Sequence, residues 1–257
     1  MTHKTSGTKE WASSNVNFQF GCENGCKYCY AFRMARRRTH HPRSHRKDLE
    51  DWTNHIEIRE EIITKRFGKR HGRVMFPTTH DITENNVKYA VIILRNLLAR
   101  GNEVLITTKP RLKVIQMICA VLAKFKPQIQ FRFTITSRHD RILKEWEPNA
   151  PSFNERMESL YFAHMAGFKT SISIEPCLEA DPRILVGILE PCVTESIWLG
   201  PMNHCGKHDF NSEKTLWKWW EWFQDRRLIR FKDAFFNKLH LDQNKILEVK
   251  LEHDGIN

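Results

Sequence analysis

Apolar and polar positions along this chain change period repeatedly, with short runs of period two separated by longer runs of helical period. Residues 15–20 alternate Val16, Phe18 and Phe20 with Asn17 and Gln19, which predicts a strand. Residues 73–76, 104–108, 129–136, 170–174 and 196–199 are apolar or alternating runs that stop at polar or proline-containing clusters, and they predict five more strands. Between them, Val87, Ala90, Val91, Leu94, Leu97 and Leu98 recur at helical spacing and stop at Gly101; Leu112, Ile115, Ile118, Cys119 and Leu122 do the same. Ser152-Phe153-Asn154-Glu155 is a capping box that opens a helix through Met157, Leu160, Tyr161 and Met165 to Gly167. Asp181-Pro182 starts a shorter helix. Ile56, Ile62, Ile63 and Phe67 predict a helix ending near Gly68, and another follows Cys29 through Phe32, Met34 and Ala35.

Six strands alternating with helices predict a parallel sheet joined by right-handed crossovers, either open and doubly wound or an incomplete barrel. In both layouts ligands bind beyond the carboxyl ends of the strands. The polar clusters lie there: Thr78-Thr79-His80-Asp81, Lys109-Pro110, Ser137-Arg138, Glu175-Pro176-Cys177 and Gly200-Pro201-Met202-Asn203. The texture changes after the sixth strand, where Trp217, Trp219, Trp220, Trp222 and Phe223 crowd one helical stretch. Aromatics spread round a helix predict core or barrel-closing contacts, and their interleaving with Lys and Arg also suits stacking on unpaired bases. The expected division is an N-terminal tail over 1–14, a core over 15–205 and a C-terminal helical extension over 206–257.

Charge narrows the partners. Lys and Arg number 41 against 30 Asp and Glu, a formal net charge of +11, which favours anionic partners with nucleic acid first among them. Arg36, Arg37 and Arg38 end the helix after the cysteines, and the aperiodic stretch 39–47 that follows is also basic. Seven cysteines with three of them clustered do not form the disulfide framework of a small secreted domain, so a reducing cytoplasm is expected. No apolar run nears the roughly 20 residues of a spanning helix, and residues 1–12 lack the apolar stretch of a secretory signal.

The chemistry concentrates in Cys22, Cys26 and Cys29, spaced C-x3-C-x2-C between the first strand and a helix. Three thiolates on a four-iron cluster leave one iron open to an exogenous ligand. The alternative is a zinc site completed by His40, His41, His204 or Cys205, which would make the chain a non-catalytic, zinc-stabilised nucleic-acid-binding module. Structural zinc favours paired ligands, and the chain has no second C-x2-C.

This cysteine spacing, with Tyr28 just before the third cysteine and Tyr30-Ala31 after it, resembles the radical S-adenosylmethionine (SAM) superfamily, and later segments resemble its branch around spore photoproduct lyase. The resemblance implies an α/β fold, a partial (β/α)6 barrel of TIM type, carrying a [4Fe-4S] cluster on Cys22, Cys26 and Cys29. It also implies SAM chelated by the open iron and cleaved to a 5'-deoxyadenosyl radical that abstracts hydrogen from a substrate, with an electron donor such as flavodoxin or ferredoxin. It places Tyr28 beside the adenine, Thr79 and Asp81 near the amino group of SAM, Lys109 near its carboxylate, and Ser137 and Glu175 near the ribose, with Glu175 also within reach of substrate. Cys177, the nearest other thiol by topology, is the expected hydrogen-atom donor. The segment 147–151 and Arg156 also match, in a structural role. Two departures stand out: the familiar Gly-Gly-Glu is absent, and Thr78 stands where the lyase has its hydrogen-donating cysteine, which argues against repair of spore photoproduct by that route. Nucleic acid is the expected substrate, with a peptide or small metabolite as the alternative.

Overall fold

The predicted alternation builds one parallel sheet. A computed structural model of the chain describes residues 7–39, 51–203, 210 and 212–241. Its elements in order are β1 (Ser14–Asn15), β2 (Gln19–Phe20), α1 (Tyr30–Thr39), β3 (Glu57–Ile58), α2 (Glu60–Ile63), β4 (Val74–Phe76), α3 (Val87–Ala99), β5 (Val104–Thr108), α4 (Leu112–Val121), β6 (Ile129–Thr134), α5 (Asp140–Trp146), α6 (Phe153–Met165), β7 (Lys169–Ile174), α7 (Arg183–Leu189), β8 (Ile197–Leu199), α8 (Glu213–Phe223), β9 (Ile229–Phe231) and α9 (Asp233–Lys238). The main sheet runs β1-β4-β5-β6-β7-β8-β9 with every neighbouring pair parallel. This is an α/β fold in which helices follow strands in turn, as the alternation of periods predicts.

The two faces of the sheet differ because side chains alternate along each strand. Ile129, Phe131 and Phe133 of β6, Ile172 and Ile174 of β7, and Ile197 and Leu199 of β8 join Leu94, Ile115, Leu160 and Leu189 from the helices in one buried core. Truncating a buried Phe such as Phe131 to Ala is expected to cost about 3–5 kcal/mol. On the opposite face the register sets Arg132 beside Ser171 and Ser173 beside Trp198. That polar face lines a cavity.

Three local expectations are corrected. The strand predicted over 15–20 is broken: β1 lies in the main sheet, while β2 leaves it to pair antiparallel with β3. The break falls at Asn17, whose Oδ1 accepts the backbone N–H of Thr78 at 2.6 Å and of Thr79 at 3.1 Å, so a side chain replaces the ladder there. The helix predicted up to Gly68 is reduced to the four residues of α2, because residues 57–58 are taken by β3 and Arg59 N–H bonds to Phe18 O at 2.8 Å. The seventh strand of the sheet, β9, has no counterpart in the sequence pattern; it follows the aromatic helix and pairs with β8.

The aromatic helix packs into the core. Leu216, Trp219 and Phe223 are buried, and the Trp219 indole N–H donates to Ala180 O at 2.9 Å. His40, His41, the basic stretch after them, His204 and Cys205 lie outside the described residues, and of Arg38 only the backbone in α1 is described.

Candidate active site

The cysteine loop is fixed by backbone geometry before its thiols are considered. Gly21 has φ +81°, and a Cβ there would lie 2.2 Å from His55 O, so only glycine fits. The chain then turns so that Cys22 N–H bonds to Trp52 O at 3.1 Å and Lys27 N–H to Trp146 O at 2.9 Å. Helix α1 begins at once, and the Phe32 N–H in its first turn donates to Cys29 Sγ at 3.4 Å. Trp52 packs with Cys22 and Ala31 behind the loop.

Asp81, just beyond β4, ties this loop to β5. Its Oδ2 accepts from Asn24 Nδ2 at 2.7 Å, and its Oδ1 accepts from Lys109 N–H at 2.6 Å and from the Thr108 hydroxyl at 3.1 Å. Lys109 Nζ adds an ion pair at 3.7 Å. These donors come close to filling the roughly four acceptor positions of a carboxylate. Burial alone would raise the Asp81 carboxyl, yet Lys109 and these hydrogen bonds hold it below the usual carboxylate range. Lys109 is itself buried, 5.6 Å from the centre of the Tyr28 ring.

Tyr28 reaches the other way. Its hydroxyl donates to Glu147, which also accepts from Thr136 at 2.7 Å and forms a buried ion pair with Arg156. The 147–151 segment and Arg156 thus have the structural role expected of them.

Cys22, Cys26, Cys29, Tyr28, Thr79, Asp81, Lys109 and Glu175 line one cavity of about 1130 Å³ on the polar face of the sheet. Two expected residues lie outside that lining. Ser137 is buried with its hydroxyl donating to Glu179 at 2.9 Å, and Cys177 is wholly buried in the apolar core with its thiol directed to Glu179 O at 3.3 Å. Both follow strand ends where the chain has already turned away from the cavity, and Cys177 N–H bonds to Gly200 O instead. Sequence reasoning missed Asn24, Arg132 and Lys232, and it gave His80 no role of its own within the 78–81 cluster. Burial keeps the His80 imidazole neutral, its pKa lowered to about 3, and its Nε2 has no partner among the described residues. Lys232, from the extension, pairs with Glu175 at 3.8 Å across Gly200, where a Cβ would lie 2.8 Å from the Glu175 side chain. Helix α1 borders the opening: Met34 and Ala35 line the cavity, while Arg36 and Arg37 are exposed.

Comparison with known proteins decides the lineage. Residues 16–176, well over half of the chain, match the radical SAM superfamily. The chain belongs to that superfamily. An uncharacterised protein of Methanocaldococcus jannaschii is 26% identical over 184 residues, covering 68% of this chain and 65% of that protein. Among solved structures, Streptococcus suis SuiB bound to S-adenosylmethionine superposes with a TM-score of 0.55 at 14% identity, covering 88% of this chain and 48% of SuiB. A spore photoproduct lyase variant with a dinucleoside spore photoproduct superposes with a TM-score of 0.50 at 18% identity, covering 72% of this chain and 54% of the lyase. This chain therefore spans about two thirds of the relative and about half of each structure. At these identities the structural likeness shows a shared radical SAM fold.

The superfamily's cofactors are a [4Fe-4S] cluster and SAM, and the donor set fits them. Cys22, Cys26 and Cys29 all line one cavity. Burial pushes the Cys22 thiol up to about 12, helped by the Asp81 carboxylate, and raises Cys26 and Cys29 as well. Bound metal removes such protons outright.

Proposed function

We propose that this radical SAM enzyme acts on an anionic substrate, a nucleic acid, at the cavity beside Cys22, Cys26 and Cys29. When bound, the cluster and SAM supply one-electron cleavage and hydrogen-atom abstraction. The observation that carries the reading is the gathering of those three thiols, Tyr28, Thr79, Lys109 and Glu175 around one cavity at the carboxyl ends of parallel strands.

In this reading each residue has a task of its own. Cys22, Cys26 and Cys29 hold the cluster, and Asp81 holds their loop against Lys109 and Thr108. Lys109 offers a buried ammonium to a carboxylate, which a charge-assisted bond would strengthen. The Thr79 hydroxyl and the Glu175 carboxyl face the cavity as hydrogen-bonding groups for SAM or substrate. Tyr28, held by Glu147, forms the wall beside the adenine. Arg36 and Arg37 on the exposed side of α1 meet phosphates at the mouth. Ser137 and Cys177 do not line the cavity, so this reading gives them no task. An external reductant of the flavodoxin or ferredoxin kind delivers the electron, and a reducing cytoplasm is the setting that keeps the thiols available. Among the described residues no helix is long and apolar enough to cross a membrane.

Anaerobic reconstitution followed by incubation with SAM and a strong reductant tests the reading. A brown protein that releases 5'-deoxyadenosine supports it; a colourless protein carrying stoichiometric zinc overturns it. Label transfer from DNA, RNA and peptide pools into 5'-deoxyadenosine then separates nucleic acid from the peptide alternative.

A further inference from the structure

Two hydrogen-bond donors of residues bordering the cavity, on Arg132 and Trp11, have no partner among the described residues. Arg132 of β6 is only 3% exposed. Its Nε donates to Ser171 Oγ at 3.1 Å and its Nη2 reaches Ser196 Oγ at 3.5 Å, while its Nη1 has no partner among the described residues. The neighbouring acceptors are already in use. Ser171 Oγ also accepts from Gln130 Nε2 at 3.0 Å, and Ser196 Oγ accepts from the Trp198 indole at 3.0 Å. The nearby carboxylates Glu10 and Glu175 form ion pairs with Lys232, at 3.0 and 3.8 Å. Next to Arg132 stands Trp11, whose ring centre is 4.5 Å from the guanidinium carbon and whose buried Nε1 likewise has no partner among the described residues. Arg and Trp side chains donate and do not accept. Two adjacent buried donors thus lack a protein acceptor among the described residues, and a water or an anion can supply one.

We infer that Arg132 and Trp11 form an oxyanion site on the cavity floor, which takes a phosphate or carboxylate of the substrate. This rests on the proposed reading of the cavity as the place of reaction. The unpaired Nη1 carries two hydrogens that suit an oxygen of either group. Arg132 aligns with Thr107 in the sheet, two residues or about 7 Å below the level of Lys109. The site thus lies below Lys109, the group assigned to the SAM carboxylate. A cavity of about 1130 Å³ has room for both occupants, since single ligand pockets measure about 300–1,000 Å³. Burial and the nearby Arg73 lower the Arg132 guanidinium to about 9, which leaves it cationic near neutrality.

Arg132 and Trp11 also border a second depression, lined by Arg73, Arg230, Glu103 and Glu195 at the other end of the strands. The test must therefore show from which side the oxyanion enters. Calorimetric titration of the reconstituted, SAM-loaded protein uses inorganic phosphate and acetate as separate probes. At least one should bind saturably; phosphate alone points to a phosphate-bearing substrate and acetate alone to a carboxylate. Arg132→Gln should weaken that binding roughly ten- to a hundredfold, with partial recovery in Arg132→Lys. Trp11→Phe keeps the ring, removes only the N–H, and should weaken binding roughly two- to tenfold. If Arg132→Gln fails to fold, Trp11→Phe decides. The inference is overturned if neither probe saturates, if the variants that fold bind as wild type does, or if Arg73→Gln weakens binding as much as Arg132→Gln, which would move the site to the opposite depression. SAM cleavage is read on the same wild-type preparation: cleavage without oxyanion binding sinks this inference alone, and binding without cleavage sinks the proposed function alone.

Discussion

Tyr28 donates its hydroxyl to the buried carboxylate of Glu147, 119 residues further along the chain. The tyrosine lies between Cys26 and Cys29, and Glu147 is anchored by Arg156 at the start of α6. This wall of the cavity is thereby bolted to the scaffold through one buried ion pair. Removing one member of such a pair leaves an uncompensated charge. Glu147→Gln should destabilise the fold by about 3–5 kcal/mol, read as a shift in the denaturant midpoint, and a loss under about 1 kcal/mol would mean the pair is not buried in solution.

The same pair fixes an acid limb. Burial would raise the Glu147 carboxyl, but Arg156 and Lys109 outweigh it and hold it below the usual carboxylate range. A depressed folded pKa contributes stability that is present above the unfolded value of about 4.3 and is lost as pH falls through the folded value. The stability gap between wild type and Glu147→Gln should therefore narrow as pH falls below about 4. Unfolding curves at successive pH values check this; a gap that stays constant across the acid range would contradict it.

Cys26→Ala should abolish both the visible absorption of the cluster and the release of 5'-deoxyadenosine. Iron analysis and product chromatography read the two separately, and SAM cleavage retained in this variant would remove the assignment of the cysteines.

Asp81, expected near the amino group of SAM, is bonded to Asn24 of the cysteine loop and to Lys109. Asp81→Asn loses the partner of Lys109 and disturbs the bond to Asn24 in the cysteine loop, so cluster affinity should fall about 10- to 100-fold. Iron retained during competition with a chelator measures it. A residue that touched only SAM would leave iron content unchanged and raise the SAM requirement instead.

Replacing Arg36, Arg37 and Arg38 together with Gln should weaken oligonucleotide binding and flatten its salt dependence by about 0.7–0.9 for each phosphate no longer neutralised. An unaltered slope would make these arginines a solvated face with no part in binding.

Much of this arrangement was legible in the chain. The six core strands and the main helices stood out because burial on one face of a sheet imposes period two and packing of a helix imposes period 3.6. Cys22, Cys26 and Cys29 were legible because all three fall within one short loop. Lys109 and Glu175 were legible from their place just after strands. What the pattern misplaced has equally physical causes. Asn17 breaks a strand through its side chain, which no alternation of polarity reveals. Ser137 and Cys177 share the sequence position of cavity residues, yet the turn of the backbone sends them to Glu179 instead.

The amino-acid order by itself determined most of the strands and helices, where the thiols cluster and which sign of charge dominates, because each depends on residues within a few positions of one another or on simple composition. Only the folded chain decided which polar groups meet. Lys232 reaches back 225 residues to Gly7 O and also pairs with Glu175, and Arg132 and Trp11 come together with donors to spare. Meetings of that kind depend on sheet order and register, which bring distant residues to one surface, and no local period records them.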